Sequence, residues 1–273
     1  MKQIFCRFGA WAARPRNLLL GVFAVLVLPG LAAGAEKGGE TFLIAGPTRE
    51  DRLTLHQLEA LGAREIASAY FDRALGYSGS RFRAVEFARL IERYDPGGVG
   101  DAVLLDCFDD YQGLIAVEDI RRYRLGIATR IEILSQGAVI PGWLNPLLIL
   151  VPDGSAAPPM ERFLTANIRA IRFVKKADYY APLEKLAAGA PAAREGMKVF
   201  KDNCLFCHAL KGVGGGKGGG LPARFDFSGD AGAFYRAFAA THSSDNPDKQ
   251  SIAQFVNERQ LAGIAALLKA ASP

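Results

Sequence analysis

Residues 196–216 read GMKVFKDNCLFCHALKGVGGG, and the five at their centre, residues 204–208, CLFCH, decide how the rest of the chain is read. The chain has 273 residues and four cysteines, of which Cys204 and Cys207 stand three apart with His208 directly after the second. Two near cysteines serve a disulfide, a zinc site or the covalent attachment of a haem. Zinc takes about four ligands, and after the motif only His242 adds a nitrogen or sulfur donor of the usual kind. A thioredoxin-type disulfide asks for a preceding strand in a βαβ setting, whereas the flanks here have helical spacing. Haem attachment accounts for every position: Cys204 and Cys207 add to the two vinyl groups of a porphyrin, and His208 is carried under the ring to bind iron. One covalently bound haem c is therefore the expected cofactor.

The beginning of the chain fits that chemistry, because thioethers to haem form outside the cytoplasm. Residues 1–35 carry Lys2, Arg7, Arg14 and Arg16 and no acid, then an apolar run over residues 18–28, a Pro29-Gly30 break, and Ala33, Gly34 and Ala35. This is the pattern of a secretory signal peptide cleaved after Ala35, with an apolar run too short to span a membrane. A periplasmic mature protein with no membrane span is expected. Cleavage takes four of the 33 Lys and Arg and none of the 28 Asp and Glu, leaving a mature charge of +1. With no basic stripe interleaved with aromatics, nucleic-acid binding is excluded. Cys6 leaves too, and Cys107, Cys204 and Cys207 remain.

Residues 186–196, LAAGAPAAREG, are rich in Ala, Gly and Pro and break the periodic pattern. They predict two domains: residues 40–185 and residues 193–273, joined by a linker over 186–192. In the first, FLIAG (42–46), DAVLLDCF (101–108), ATRIEIL (128–134) and PLLILVP (146–152) read as strands. LTLHQLEALG (53–62) and RFRAVEFARLIERY (81–94) have helical spacing. Thr54 with Gln57 forms a capping box. The expected fold class is an α+β mixed-sheet domain followed by an all-α domain. Cys107 reads as a buried small side chain, and Asp106, Asp109 and Asp110 beside Tyr111 as solvated carboxylates at a sheet-end turn.

With Gly196 and Phe200 ahead of CLFCH, GVGGGKGGGLP (212–222) after it and a final helix in NERQLAGIAALLKA (257–270), the second domain resembles a single-haem c-type cytochrome domain. The resemblance implies that the Pro222 carbonyl accepts a hydrogen bond from His208 Nδ1 and that the last helix crosses the first. No aromatic stands at that crossing, so Leu267 or Leu268 fills it. The family's methionine ligand is missing, since Met1, Met160 and Met197 all precede the motif. The sixth iron ligand is then His242, or Lys249 or Asn246, or none, with His242 a solvated loop residue. Histidine in place of methionine removes a factor that raises the reduction potential.

The first domain, through YSGSRFRAVEFARLIERY (77–94), residues 104–133, NPLLILVP (145–152) and IRAIRFVKKADYY (168–180), resembles the sulfite-oxidase-type molybdopterin-binding fold. That family's metal-ligating cysteine lies upstream of the region matching YSGSRF, but residues 36–106 hold none. Molybdopterin is not expected to bind, and the domain is read as a cofactor-free relative that docks a partner. The expected function is single-electron transfer to or from a periplasmic dehydrogenase or other redox protein, without substrate chemistry. Two alternatives stand beside it: a molybdopterin oxidoreductase passing electrons from a substrate to its own haem, and a gas-binding or sensor haem with an open distal site.

Overall fold

A computed structural model describes residues 40–227, 231–242 and 256–272. The chain begins with β1 (Thr41–Ala45), β2 (Glu50–Thr54), α1 (Leu55–Glu59), β3 (Arg64–Ala67), α2 (Ala69–Leu75), β4 (Arg81–Glu86) and α3 (Phe87–Tyr94). It continues through β5 (Ala102–Cys107), β6 (Gln112–Ala116), α4 (Val117–Arg122), β7 (Gly126–Glu132), β8 (Leu148–Leu150), a 3-10 turn (Glu161–Leu164) and β9 (Ile168–Val174). Five helices follow: α5 (Lys176–Ala187), α6 (Pro191–Asn203), α7 (Leu221–Arg224), α8 (Gly232–Thr241) and α9 (Glu258–Ala271).

The strands form two sheets. One runs β2-β1-β9-β5-β6 and is antiparallel except where β1 lies parallel to β9; the other, β3-β4-β7-β8, is antiparallel throughout. Strand β5 explains why the first sheet is apolar on both sides. Val103, Leu105 and Cys107 enter the main core with Phe42, Phe87 and Ile171, while Leu104 turns to the other face, beside Leu114, Tyr179 and Tyr180. A sheet buried on both faces loses strict alternation and reads as a continuous aliphatic run, as AVLLDC does.

The expected fold class is corrected here. The described residues fall into one compact unit of mixed α and β structure, without a separate all-α domain after a mixed-sheet one. The reason lies in α5, which starts one residue beyond β9 and lays Tyr179 and Tyr180 on Leu104 and Leu114 of the sheet. The same two tyrosines pack against the cluster that holds Phe200, Leu205 and Leu268. The Ala- and Gly-rich stretch 186–192 is largely taken into helices, with Ala187 fully buried and Pro191 opening α6 at its first turn, where its missing N–H costs nothing.

Residues 81–94 also differ from the helix predicted for them. Their first six form β4, paired with β3 and β7, because Phe82 and Ala84 alternate into the core of the second sheet; the helix begins only at Phe87. The Thr54–Gln57 capping box is present at α1, and Asn257 forms a second one with Gln260 at α9. Along α9, Leu261, Ile264, Leu267 and Leu268 are buried.

Helices α6 and α9 cross at glycine on glycine: a Cβ placed on Gly196 would fall inside the Gly263 carbonyl group. Gly196→Ala therefore forces the two backbones apart and is expected to lower stability by about 3 kcal/mol, read as a fall in the urea midpoint at unchanged m value. A loss below about 0.5 kcal/mol would show that the crossing tolerates a methyl group.

Candidate functional site

The motif forms a single turn continuing from the end of α6. Cys204 N–H still bonds to Phe200 O, and Cys207 and His208 N–H both point back to Cys204 O, at 3.1 and 2.9 Å. The next three carbonyls have no helical partner. Leu205 O accepts from Gly215 N at 2.9 Å, Phe206 O from Gln112 N at 2.9 Å, and Cys207 O from Gly218 N at 2.7 Å. Residues 214–218 thus wrap the motif closely. Side chains have no room there: a Cβ on Gly214 would meet Leu205 O and His208 O, one on Gly215 would meet Phe206 O, and one on Gly218 would enter the His208 ring. Gly214 also has φ +104°, a conformation that favours glycine.

Two histidines come together. The His208 and His242 ring centres are 6.1 Å apart, with planes at 44°. His208 Nδ1 lies 3.1 Å from Gly219 O, and His242 Nδ1 lies 3.2 Å from Phe238 O and 2.9 Å from Thr241 Oγ1. A carbonyl oxygen only accepts, so each Nδ1 faces it as a donor. The carbonyl facing His208 is that of Gly219, in place of the Pro222 carbonyl expected; Pro222 sits in the first turn of α7. His242 ends α8 and stacks on Phe238, with centres 4.8 Å apart.

A metal binds an imidazole nitrogen at about 2 Å, and a five-membered ring with bonds of about 1.33 Å has its centre about 1.1 Å from each atom. Two imidazoles on opposite sides of one metal ion thus stand about 6 Å apart, centre to centre. The 6.1 Å between the His208 and His242 ring centres is of that size. Among the described residues no group of three or more His, Cys, Asp or Glu is gathered as a protein-only metal site. Two imidazoles with two adjacent thiols instead suit a porphyrin, whose own nitrogens supply the remaining ligands.

The sheet supplies one wall of the site. Tyr111, in the turn between β5 and β6, stacks on Phe206 with centres 5.7 Å apart and planes at 13°. Gly216 N–H bonds to Asp110 O at 2.8 Å, Lys217 Nζ donates to Asp109 Oδ2 at 2.6 Å, and Tyr179 O–H donates to Gln112 Oε1 at 2.5 Å. The three aspartates expected to be solvated each meet a cation: Asp106 meets Arg172, Asp109 Lys217 and Asp110 Arg169. Tyr111 O–H lies 3.4 Å from Glu161 Oε1. Burial holds the Tyr111 hydroxyl well above its ordinary pKa and pushes the Cys204 thiol up to about 12. Glu161 keeps accessible surface, yet the atoms crowding its carboxyl raise its pKa, with the Tyr111 hydrogen bond and Lys217 opposing.

His208 and His242 are thus brought together across the chain, and Cys204 and Cys207 share the turn that ends in His208. Tyr111, Glu161, Gly218 and Gly219 complete the surroundings, and only the glycine run and the Tyr111 turn had a sequence signal. Lys249, Asn246 and the signal peptide expected over residues 1–35 lie outside the described residues. The chain matches no protein-family model and no curated protein.

Cys107, Cys204 and Cys207 form no disulfide. Cys107 is fully buried, and its thiol is pushed up to about 12, by burial first and by Asp109 next. At pH 8 its thiolate fraction is on the order of 10⁻⁴, so a thiol reagent is expected to leave Cys107 unmodified in the folded protein and to label it after denaturation, as peptide mass spectrometry would show.

Proposed function

We propose that the chain is an exported c-type haem protein that carries single electrons in the periplasm. Cys204 and Cys207 would hold the porphyrin through two thioethers, and His208 and His242 would ligate its iron. The observation that carries this reading is the CLFCH motif with a second imidazole 6.1 Å across from His208. When bound, the haem supplies a one-electron couple at iron, and no substrate bond is broken.

The chain's own residues orient and shield. Gly219 O and Phe238 O fix the two ring tautomers from behind, which raises ligand basicity and holds both imidazoles in place. The glycine wrap and the Tyr111–Phe206 stack cover the cysteine side of the site. Two imidazole ligands favour a low reduction potential relative to histidine with methionine. A one-electron redox protein or dehydrogenase is the partner, met by the surface of the sheet-bearing part.

Matured in a host that assembles c-type haem, the exported protein should be coloured and heavier than its polypeptide by one tetrapyrrole. Cys204→Ala with Cys207→Ala should lose the covalent haem. The reduced protein should show a six-coordinate spectrum that carbon monoxide leaves unchanged, and His242→Ala should open the site to carbon monoxide. A colourless protein overturns the haem reading. Ready carbon monoxide binding by the unmutated protein, or a His242→Ala spectrum like that of the original, overturns the second ligand.

A further inference from the structure

Three separate parts of the chain converge beside the cysteine pair. Glu161 opens the 3-10 turn before β9, Tyr111 comes from the β5–β6 turn, and Cys204 ends α6. Tyr111 lies flat on Phe206, which stands between the two cysteines, and its O–H reaches 3.4 Å to Glu161 Oε1. Glu161 is near enough for its charge to act on both Tyr111 and the Cys204 sulfur. Asp106, Asp109 and Asp110 are each matched by a cation, whereas among the described residues Glu161 has none within ion-pair distance. Lys217 acts on it from farther off while bonded to Asp109. The next residue, Arg162, turns to the Met160 sulfur at 3.2 Å and lies towards Tyr70 and Tyr180. Glu161 is thus the uncompensated carboxylate at the site.

On the haem reading above, we propose that Glu161 is the proton acceptor coupled to the haem's electron, with Tyr111 as its positioning residue. As ferric iron takes one electron from a one-electron donor, the Glu161 carboxylate takes one proton from solvent and becomes a carboxylic acid; oxidation returns both. Charge therefore stays constant at the site. Reduction removes a positive charge from the site, so Glu161 holds its proton more tightly when iron is ferrous. The reduction potential is flat at pH below both Glu161 pKa values, falls with rising pH between them, and is flat again above both. Burial places that window above the ordinary value of 4.5. Within it, one proton per electron changes the reduction equilibrium up to tenfold per pH unit, about 59 mV.

The test is a redox titration of the haem-loaded protein between about pH 4 and about pH 9, a span covering carboxylate and histidine ionisation, followed by absorbance. The unmutated protein should show the sloping window, and Glu161→Gln should abolish it while leaving the haem spectrum unchanged. Tyr111→Phe should move the window to higher pH, because the lost hydrogen bond favoured the charged carboxylate. A flat potential in the unmutated protein, or a slope that persists in Glu161→Gln, overturns the proposal. An unmoved window in Tyr111→Phe removes the positioning role. A colourless protein would instead defeat the haem reading itself.

Discussion

Three consecutive carbonyls, those of Leu205, Phe206 and Cys207, set the architecture around the motif. The turn that displays two sulfurs and an imidazole on one side leaves these oxygens without helical donors. A buried carbonyl without a partner costs about 1–3 kcal/mol, so three of them would consume much of a domain's net stability of about 5–15 kcal/mol. Backbone N–H groups can reach them only if the approaching chain lacks side chains, and residues 212–220 meet that requirement almost throughout. Lys217 interrupts the run where its side chain turns away to Asp109. The glycines buy close approach at the expense of conformational entropy, and the paired carbonyls offset that loss.

One of the three donors comes from outside the loop. Gln112 belongs to β6, and its N–H on Phe206 O ties the motif to the first sheet. Tyr179 from α5 bonds to the same glutamine's side chain, and Tyr111 covers the Phe206 ring. Sheet, helix and motif therefore share one polar and aromatic junction. A motif pinned in this way does not ride on a tethered, independently moving domain, and on the proposed haem reading the sheet would form part of the cofactor's environment. That is why the corrected fold matters for function: residues of the β5–β6 turn and the 3-10 turn belong to the site.

What could be read locally was read well. The capping residues of α1, the final helix α9 and the aliphatic runs of β1, β5 and β8 each depend on neighbours within a few positions, and such patterns survive in sequence. What failed depended on partners far away. Arg81–Glu86 has helical spacing together with Phe87–Tyr94, but β3 and β7 take it into a sheet. The stretch over 186–192 resembles a linker because Ala, Gly and Pro mark both loops and close helix packing, and nothing local tells the two apart. Asp106 and Asp109 were read as solvated since their cations, Arg172 and Lys217, stand 66 or more residues away, whereas Asp110 is exposed as expected. At the site, the motif announced Cys204, Cys207 and His208, and His242 stood out as the one histidine after it; Glu161 carried no signal, because only folding brings it to Tyr111.

The two histidines show what the rest of the site accomplishes. An imidazole free to rotate about its side-chain bonds must surrender that freedom when it binds a metal, and a mobile ligand is easily displaced by a small molecule. Here each ring is held at Nδ1 by a backbone carbonyl, His208 by the glycine loop and His242 by its own helix, with Phe238 stacked against the second ring. Much of the ordering cost is met by folding before any ligand arrives. On the proposed reading, both imidazoles are held before they would ligate iron, so a change of one electron would require little movement of the protein. On that reading, two ligands held in this way would favour electron transfer over sensing.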